Sequence, residues 1–381
     1  MATTDFAFTT IYNYDDSASA GSKYIDNTLE AMSPAGTSFA ILEASADYLY
    51  LGHDFKFDMA LFDIDSVGSI GTVKWEYFGT AWTEFIPSSG LAQTDPDDNE
   101  GKQWAFDEDG AETFPRNRLD GWAKTLIGNS GSEANKYWVR VSAADPSGAR
   151  SNPTVKRIQM RPIAAYCSTK DVYELMQMGP VLGGTDFTDS TTPSQATIEN
   201  FIEESQSYID YIARKSWRPN IVYNEGHEFN LNGFKLDRPD PYKILHMKIW
   251  NGASWDKKTA GRTKDFFLVP DIGAIHFSRY FILPARFQSY NAPVWRWGAG
   301  EFMHPIKVTY LNGRDFNTDI RESGIVHDIC KKLAAIDITR SADFGGAVVS
   351  GMDRVQLAQR LEGWKLEIDD QLESLRAFEL F

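Results

Sequence analysis

The sequence is poor in thiols and clustered histidines, and it has neither a long apolar run nor an excess of basic charge. Two cysteines in 381 residues, Cys167 and Cys330, cannot build a disulfide framework or a cysteine-rich zinc site. Each reads as a small apolar core residue. The six histidines (His53, His227, His246, His276, His304 and His327) lack the HxxxH and HExxH spacings that set two ligands on one helix face. No stretch approaches the roughly 18–20 apolar residues that span a bilayer, and residues 1–10 lack the basic-then-apolar pattern of a secretory signal. The expectation is a chain made in a cytoplasm, without a membrane partner.

The net charge is −15, with 24 acidic and 13 basic side chains in residues 1–161 and 29 and 25 in residues 162–381. Sequence-independent capture of nucleic acid needs a surplus of Lys and Arg to neutralise phosphates, and neither part has one. DNA binding is not expected, although an acidic wall past which DNA slides is compatible with this balance. The motifs of catalysis are also missing: no GxSxG elbow, no Walker loop and no GxGxxG. Gly183-Gly184 is followed by no Lys-Ser or Lys-Thr pair and reads as an inter-helix loop. Asp95, Asp97 and Asn99 begin like a calcium loop, but Glu100 stands at the sixth position, where an EF-hand needs glycine. These residues, Asp107-Glu108-Asp109 and the Asp63/Asp65 pair read as solvated acidic turns. No enzyme activity, cofactor or metal is expected.

What is present is periodicity of two kinds. Residues 1–38 are rich in Ala, Ser, Thr, Asp and Gly and read as an N-terminal arm. In residues 39–161, short aromatic-rich runs such as Tyr48-Leu49-Tyr50-Leu51, Val73-Lys74-Trp75-Glu76-Tyr77 and Tyr137-Trp138-Val139-Arg140-Val141 alternate with turn residues. They predict an all-β sandwich. Residues 162–220 and 312–381 read as helices. Ser168 with Asp171 caps the first, Thr192-Pro193 with Gln195 opens the second, and Ile198, Phe201, Ile202, Ser205, Tyr208, Ile209 and Ile212 form one apolar stripe. Arg214 and Lys215 would complement its C-terminal dipole. A third helix begins at about Asp319. A last one, from about Met352, carries Leu361, Trp364, Ile368, Leu372, Leu375 and Phe378 on one face, which either closes a bundle or docks on a partner. Between the helical parts, residues 221–311 read as a β-rich insertion. The fold class is α+β multidomain: an N-terminal all-β sandwich, then a helical-bundle domain carrying a β-rich insertion.

Three stretches, in this order, resemble phage head-to-tail connector (adaptor) proteins. They are Tyr166-Cys167-Ser168-Thr169-Lys170-Asp171-Val172, the helix from Thr192 to Tyr208-Ile209-Asp210-Tyr211-Ile212, and the strand Pro305-Ile306-Lys307-Val308-Thr309-Tyr310-Leu311-Asn312-Gly313. The late pair is one residue shorter than the family form, and both the aromatic insertion and the N-terminal extension depart from the family's compact shape. Parts of that extension resemble a β-sandwich module of assorted phage structural proteins.

The resemblance implies a virion neck protein: a ring, usually of twelve copies, between the portal and a tail terminator, stopper or tail tube, through which DNA passes. Capsid or fibre proteins would be the partners of the N-terminal part. It also implies that the C-terminal helix, through Leu372, Leu375, Phe378 and Phe381, docks on the portal. Arg279, Arg286, Tyr290, Trp295, Arg296 and Trp297 have the composition of a subunit interface, or of a loop packed on its own insertion. A different class of function rests on the eleven Trp and sixteen Tyr: a virion protein that binds carbohydrate or a receptor through aromatic residues of the sandwich. The bland reading of those rings is core and interface packing.

Overall fold

The computed structural model describes residues 7–32, 37–87, 106, 110–114, 119–129, 133–188, 190–228, 233–250, 255–278, 305–313, 320–341 and 354–377. Within them the chain is mixed α/β, mostly strand with few helices. In chain order the first part holds β1 (Thr10–Tyr14), β2 (Tyr24–Asp26), α1 (Thr28–Met32), β3 (Phe39–Ala40), β4 (Tyr48–His53) and β5 (Phe57–Ser66). There follow β6 (Val73–Phe78), β7 (Trp82–Phe85), β8 (Gly110–Thr113), β9 (Lys124–Ile127), β10 (Ala134–Ala143) and β11 (Thr154–Pro162).

These strands form two antiparallel sheets, one ordered β2-β1-β4-β10-β6-β7 with β9 also on β10, the other β3-β11-β5-β8. Strand alternation explains why they stack. Ile11, Leu49, Leu51, Trp75, Val139 and Val141 of the first sheet share a buried cluster with Ala60, Phe62, Val155 and Ile158 of the second. This is the expected sandwich, with one correction. Residues 10–14 and 24–26, read as an arm, are paired strands, and β1 lies inside its sheet between β2 and β4. Phe8 and Ile11 are fully buried there, so two apolar anchors suffice to order an otherwise polar segment.

The outer face of the seven-stranded sheet is aromatic. Tyr12, Tyr50 and Trp138 are buried, with Tyr14, Tyr24, Tyr48 and Trp82 packed around them. Gly52 stands opposite Trp138 across the β4–β10 pair, and an added Cβ there would collide with the indole ring. The absence of a side chain lets Trp138 lie over the strand.

The second part contains α2 (Thr169–Leu175), α3 (Gly179–Leu182), α4 (Gln195–Ala213), β12 (Asn220–His227), β13 (Phe234–Lys235) and β14 (Pro241–Trp250). It continues with β15 (Trp255–Lys258), β16 (Phe266–Val269), β17 (Ala274–Phe277), β18 (Ile306–Asn312), α5 (Ile320–Arg340) and α6 (Arg354–Ala377). The strands form a sheet ordered β12-β18-β14-β15 and a smaller one ordered β13-β17-β16.

Ser168 caps α2 as expected, in a reciprocal box with Asp171. The expected cap of α4 is corrected: Ser194, not Thr192, accepts from the Thr197 amide. Pro193 therefore precedes the cap instead of occupying the first turn. Ile198, Ile202 and Ile209 of α4 share one buried cluster with Val326, Ile329, Cys330 and Ile336 of α5 and Trp364, Ile368, Leu372 and Leu375 of α6.

Sandwich and second part meet through the far side of β5. Met59 and Leu61 point away from the sandwich core and, with Ala111, bury against Leu311, Ile221 and Leu245. Around this apolar patch, Asp63 pairs with both Arg157 and Lys243, and Asp65 pairs with Lys156. Asp63 and Asp65, read from the sequence as a solvated turn, stand instead on β5 and are ion-paired.

Replacing Gly52 with alanine should cost about 1–3 kcal/mol, because the ring of Trp138 must move to admit a methyl group. Urea unfolding of the Gly52→Ala variant checks this; a change within 0.3 kcal/mol, about the limit of resolution, would contradict it.

Candidate functional site

The most distinctive constellation is a buried polar junction where the sandwich strand β11 hands the chain to the helices. Gln206 of α4 is fully buried. Its Oε1 accepts from the amides of Ala165 (2.6 Å) and Tyr166 (2.8 Å), and its Nε2 donates to the Ile163 carbonyl at 2.7 Å. One side chain thus satisfies three backbone groups of the connecting segment, which otherwise would lie unpaired in an apolar core.

One turn further along α4, Asp210 accepts a hydrogen bond from the Tyr166 hydroxyl and pairs with Arg218 at 3.2 Å. The Tyr166 oxygen in turn accepts from the Trp217 amide at 2.9 Å. Burial raises the Asp210 carboxyl above its ordinary range, against the opposing pull of Arg218. Burial also pushes the Tyr166 hydroxyl well above its ordinary range, and the neighbouring Asp210 adds to this.

The network continues to both sides. Arg161, at the end of β11, makes a two-pronged pair with Asp58 of β5 (2.7 and 3.0 Å) and donates to the Pro219 carbonyl at 2.9 Å and to Asn220. Asn220 donates to Ser216 Oγ at 2.8 Å. Lys215 is not a helix-dipole partner, as the sequence suggested; it is buried and pairs with Glu322 of α5 at 2.7 Å, while the Trp217 indole donates to the same carboxylate at 3.0 Å.

Gly313, just past β18, closes the arrangement. It has φ +113°, and a Cβ there would collide with the Arg218 carbonyl oxygen, so a glycine is required on two counts. The three stretches that carry the adaptor resemblance therefore converge here: Tyr166 from the first, Asp210 from the second, Gly313 from the third. The junction holds charges and hydroxyls in mutual contact inside the fold, and each contact fixes one element against another.

A second cluster is Glu225, His227 and Asp237, whose ligand atoms lie within 4.8 Å of one another. Both Glu225 oxygens are already engaged. His227 Nε2 lies 2.6 Å away and the Asp237 amide 3.0 Å from one, and the Tyr310 hydroxyl donates to the other at 2.6 Å. Alternate positions on β12 place Glu225 and His227 on one face, which was the available sequence signal. Asp237 and Tyr310 arrive from elsewhere.

On the aromatic face the rings pack on one another. Tyr12 stacks on Trp138 at 5.7 Å, Tyr50 meets Trp82 edge-on at 5.5 Å, and the Arg140 guanidinium lies 4.2 Å from both the Tyr48 and Trp82 rings. Glu76 fixes Arg140 in place at 2.8 Å. Arg140 covers one face each of Tyr48 and Trp82, and Trp138 is fully buried. These rings pack on one another and on Arg140, while Tyr14, Tyr24, Tyr48 and Trp82 remain partly exposed.

Of the residues expected to meet partners, Leu372 and Leu375 are buried in the core that α6 shares with α4 and α5. The amphipathic stripe, as far as Leu375, packs into the chain's own core. Phe378 and Phe381 lie outside the described residues, as do Arg279, Arg286, Tyr290, Trp295, Arg296, Trp297, Asp95, Asp97 and Asp107. Among the described residues no helix is long and apolar enough to cross a membrane.

No family model matches the sequence, and no curated protein does. Among solved structures, a chain in the neck of an empty GTA particle computed with C6 symmetry is similar over 53% of this chain and 90% of its own, at 12% identity and a TM-score of 0.30. A chain in the virion of the native gene transfer agent (GTA) particle is similar over 51% of this chain and 87% of its own, at 15% identity and a TM-score of 0.27. Neither likeness assigns this chain to a family. Scores at this level describe those two proteins and carry nothing over to the junction.

The histidine with the clearest electrostatic signature is His53, on β4. Burial lowers its pKa from 6.5 to about 4, against the nearby Asp54 charge, and its Nδ1 accepts from the Phe55 amide at 3.1 Å. A base held neutral in the fold loses ground once the unfolded chain protonates it. Its contribution is therefore complete above pH 6.5 and falls away as the pH drops towards 4, by up to about 3 kcal/mol. The wild type should lose stability across that window, and His53→Gln should flatten the loss; denaturant unfolding at several pH values checks both, and parallel curves would contradict the assignment.

Proposed function

We propose that this chain is a structural, non-enzymatic component of a tailed-phage virion, acting as a head-to-tail adaptor in the neck. The observation that supports the reading is the convergence of the three resembling stretches. Tyr166, Asp210 and Gly313 stand far apart in the sequence, yet all belong to one buried junction. A shared packing problem is a physical reason for these residue types to occur in that order. The acidic balance of the chain fits a wall past which DNA slides.

In this reading copies assemble side by side into a ring, usually twelve in the resembled family, between the portal and a terminator, stopper or tail tube. Ring contacts are heterologous, so two different faces of each subunit must complement one another. The Arg- and Trp-rich stretch containing Arg279, Arg286, Tyr290, Trp295, Arg296 and Trp297 has the composition for one of them. Because Leu372 and Leu375 are committed to the intramolecular core, portal docking passes to Phe378 and Phe381. The sandwich braces the assembly against capsid or fibre proteins. A carbohydrate-binding role is the weaker reading, since the described aromatic rings are engaged with Arg140 and with each other.

Native mass measurement of the chain mixed with purified portal rings tests this. The expected outcome is a complex of portal with a closed ring of this chain, about twelve copies if it follows the resembled family, and its loss when residues 378–381 are removed. A chain that stays free of the portal and is retained on glycan beads would overturn the adaptor reading. Retained portal binding after removal of residues 378–381 would overturn the docking assignment alone.

A further inference from the structure

Cys167 and Cys330 stand 163 positions apart in the sequence, yet their sulfurs lie 3.3 Å from each other. Both are free thiols and both are buried. Cys167 belongs to the segment that follows the junction and leads into α2. Cys330 sits midway along α5, its thiol directed towards the Ile202 carbonyl of α4 at 3.9 Å. A formed disulfide brings the sulfurs to about 2 Å, so closure asks for a movement of roughly 1 Å.

We infer that Cys167 and Cys330 form a latent disulfide, which a small oxidant of the peroxide class closes, fastening the segment after β11 to α5. The surrounding cluster is apolar, with Val172, Ile198, Ile202, Val326 and Ile329 among its members. Burial raises the Cys330 thiol well above its ordinary range, and its contact with Cys167 adds to this. In the fold the Cys330 thiol is therefore held in its protonated, less reactive form, since the thiolate is the reactive one. Both sulfurs are buried, which favours an oxidant as small as a peroxide over a bulky disulfide.

The chemistry balances in two steps. One thiolate attacks a peroxide oxygen; the O–O bond breaks, a hydroxide leaves and takes up the thiol proton as water, and a sulfenic acid remains. The second thiolate attacks that sulfur; the S–S bond forms, the S–O bond breaks, and the departing hydroxide leaves as a second water with the second thiol proton. Each sulfur is oxidised by one electron and the peroxide is reduced by two. Thiols stay reduced in a cytoplasm and oxidise outside it. Under the adaptor reading the link would thus close after particles leave the cell, but the reaction itself does not depend on that reading.

The test uses the full purified chain. Hydrogen peroxide treatment is followed by denaturation, alkylation and peptide mapping by mass spectrometry. The expected result is a single peptide pair joined through Cys167 and Cys330, with both thiols lost together and recovered by a reductant. Thermal unfolding should shift upward by roughly 5–10 °C, since a cross-link closing so long a loop restricts the unfolded chain. Cys167→Ala and Cys330→Ala should each abolish that shift.

Thiols that survive treatment, that oxidise separately to sulfinic acids, or that link different copies would overturn the inference. If an alanine variant fails to fold, peptide mapping of the wild type decides alone. Loss of the link and loss of portal binding are separate results, so failure here leaves the adaptor reading standing.

Discussion

The constraint on which the rest depends is the burial of charge at the junction between sandwich and helices. Removing an ion from water costs several kcal/mol even after relaxation, and the cost is offset only when partners are complete. Asp210, Arg161 and Asp58 come close to that condition together: Asp58 pairs with Arg161, Arg161 with Pro219 and Asn220, and Asp210 with Tyr166 and Arg218, whose Nη1 is left without a hydrogen-bond partner. No element can leave without stranding a charge. The end of β11, the last turns of α4, the turn that follows and the exit of β18 must therefore arrive in one arrangement, and Gln206 fixes the intervening backbone in the same place.

From this follows a mechanical picture. Met59 and Leu61 on the outer face of β5 bury against Leu311, Ile221 and Leu245, and the Arg161 and Asp63 ion pairs flank the patch. Apolar contact supplies area, while the charged pairs set the register, since sliding one surface on the other would break them. The sandwich is thus held against the sheet formed by β12, β18 and β14, and sliding at that contact would cost both area and ion pairs.

Much of the local structure was legible in the sequence because its causes are local. Ser168 and Asp171 are three residues apart and cap a helix wherever they stand, and the isoleucine stripe of α4 needs only a 3.6-residue period. Strand alternation in Tyr48–His53 and Val73–Phe78 is equally self-contained. The misreadings share a different cause. The strand Thr10–Tyr14 was hidden because it is short and set among Ala, Ser, Thr and Asp, and one of its two partners, β4, lies more than thirty positions on. Likewise Lys215 looked like a helix-dipole residue because Glu322 is 107 positions away. The stripe of α6 was legible, but not what it faces. The resembling motifs marked Tyr166, Asp210 and Gly313 without saying that they touch, and Gln206 carried no signal, since a glutamine on a helix is ordinary until a backbone segment is laid across it.

Residue-resolved hydrogen exchange tests the central claim most directly, because the junction makes a quantitative demand on two amides. Those of Ala165 and Tyr166, bound by Gln206, should exchange as slowly as those of Val139 and Val141 in the sandwich core, opening only when the whole chain unfolds. Rapid exchange at Ala165 and Tyr166, while the sandwich and helical cores stay protected, would show that sandwich and helices are joined by a loose tether, and the single buried junction would be contradicted.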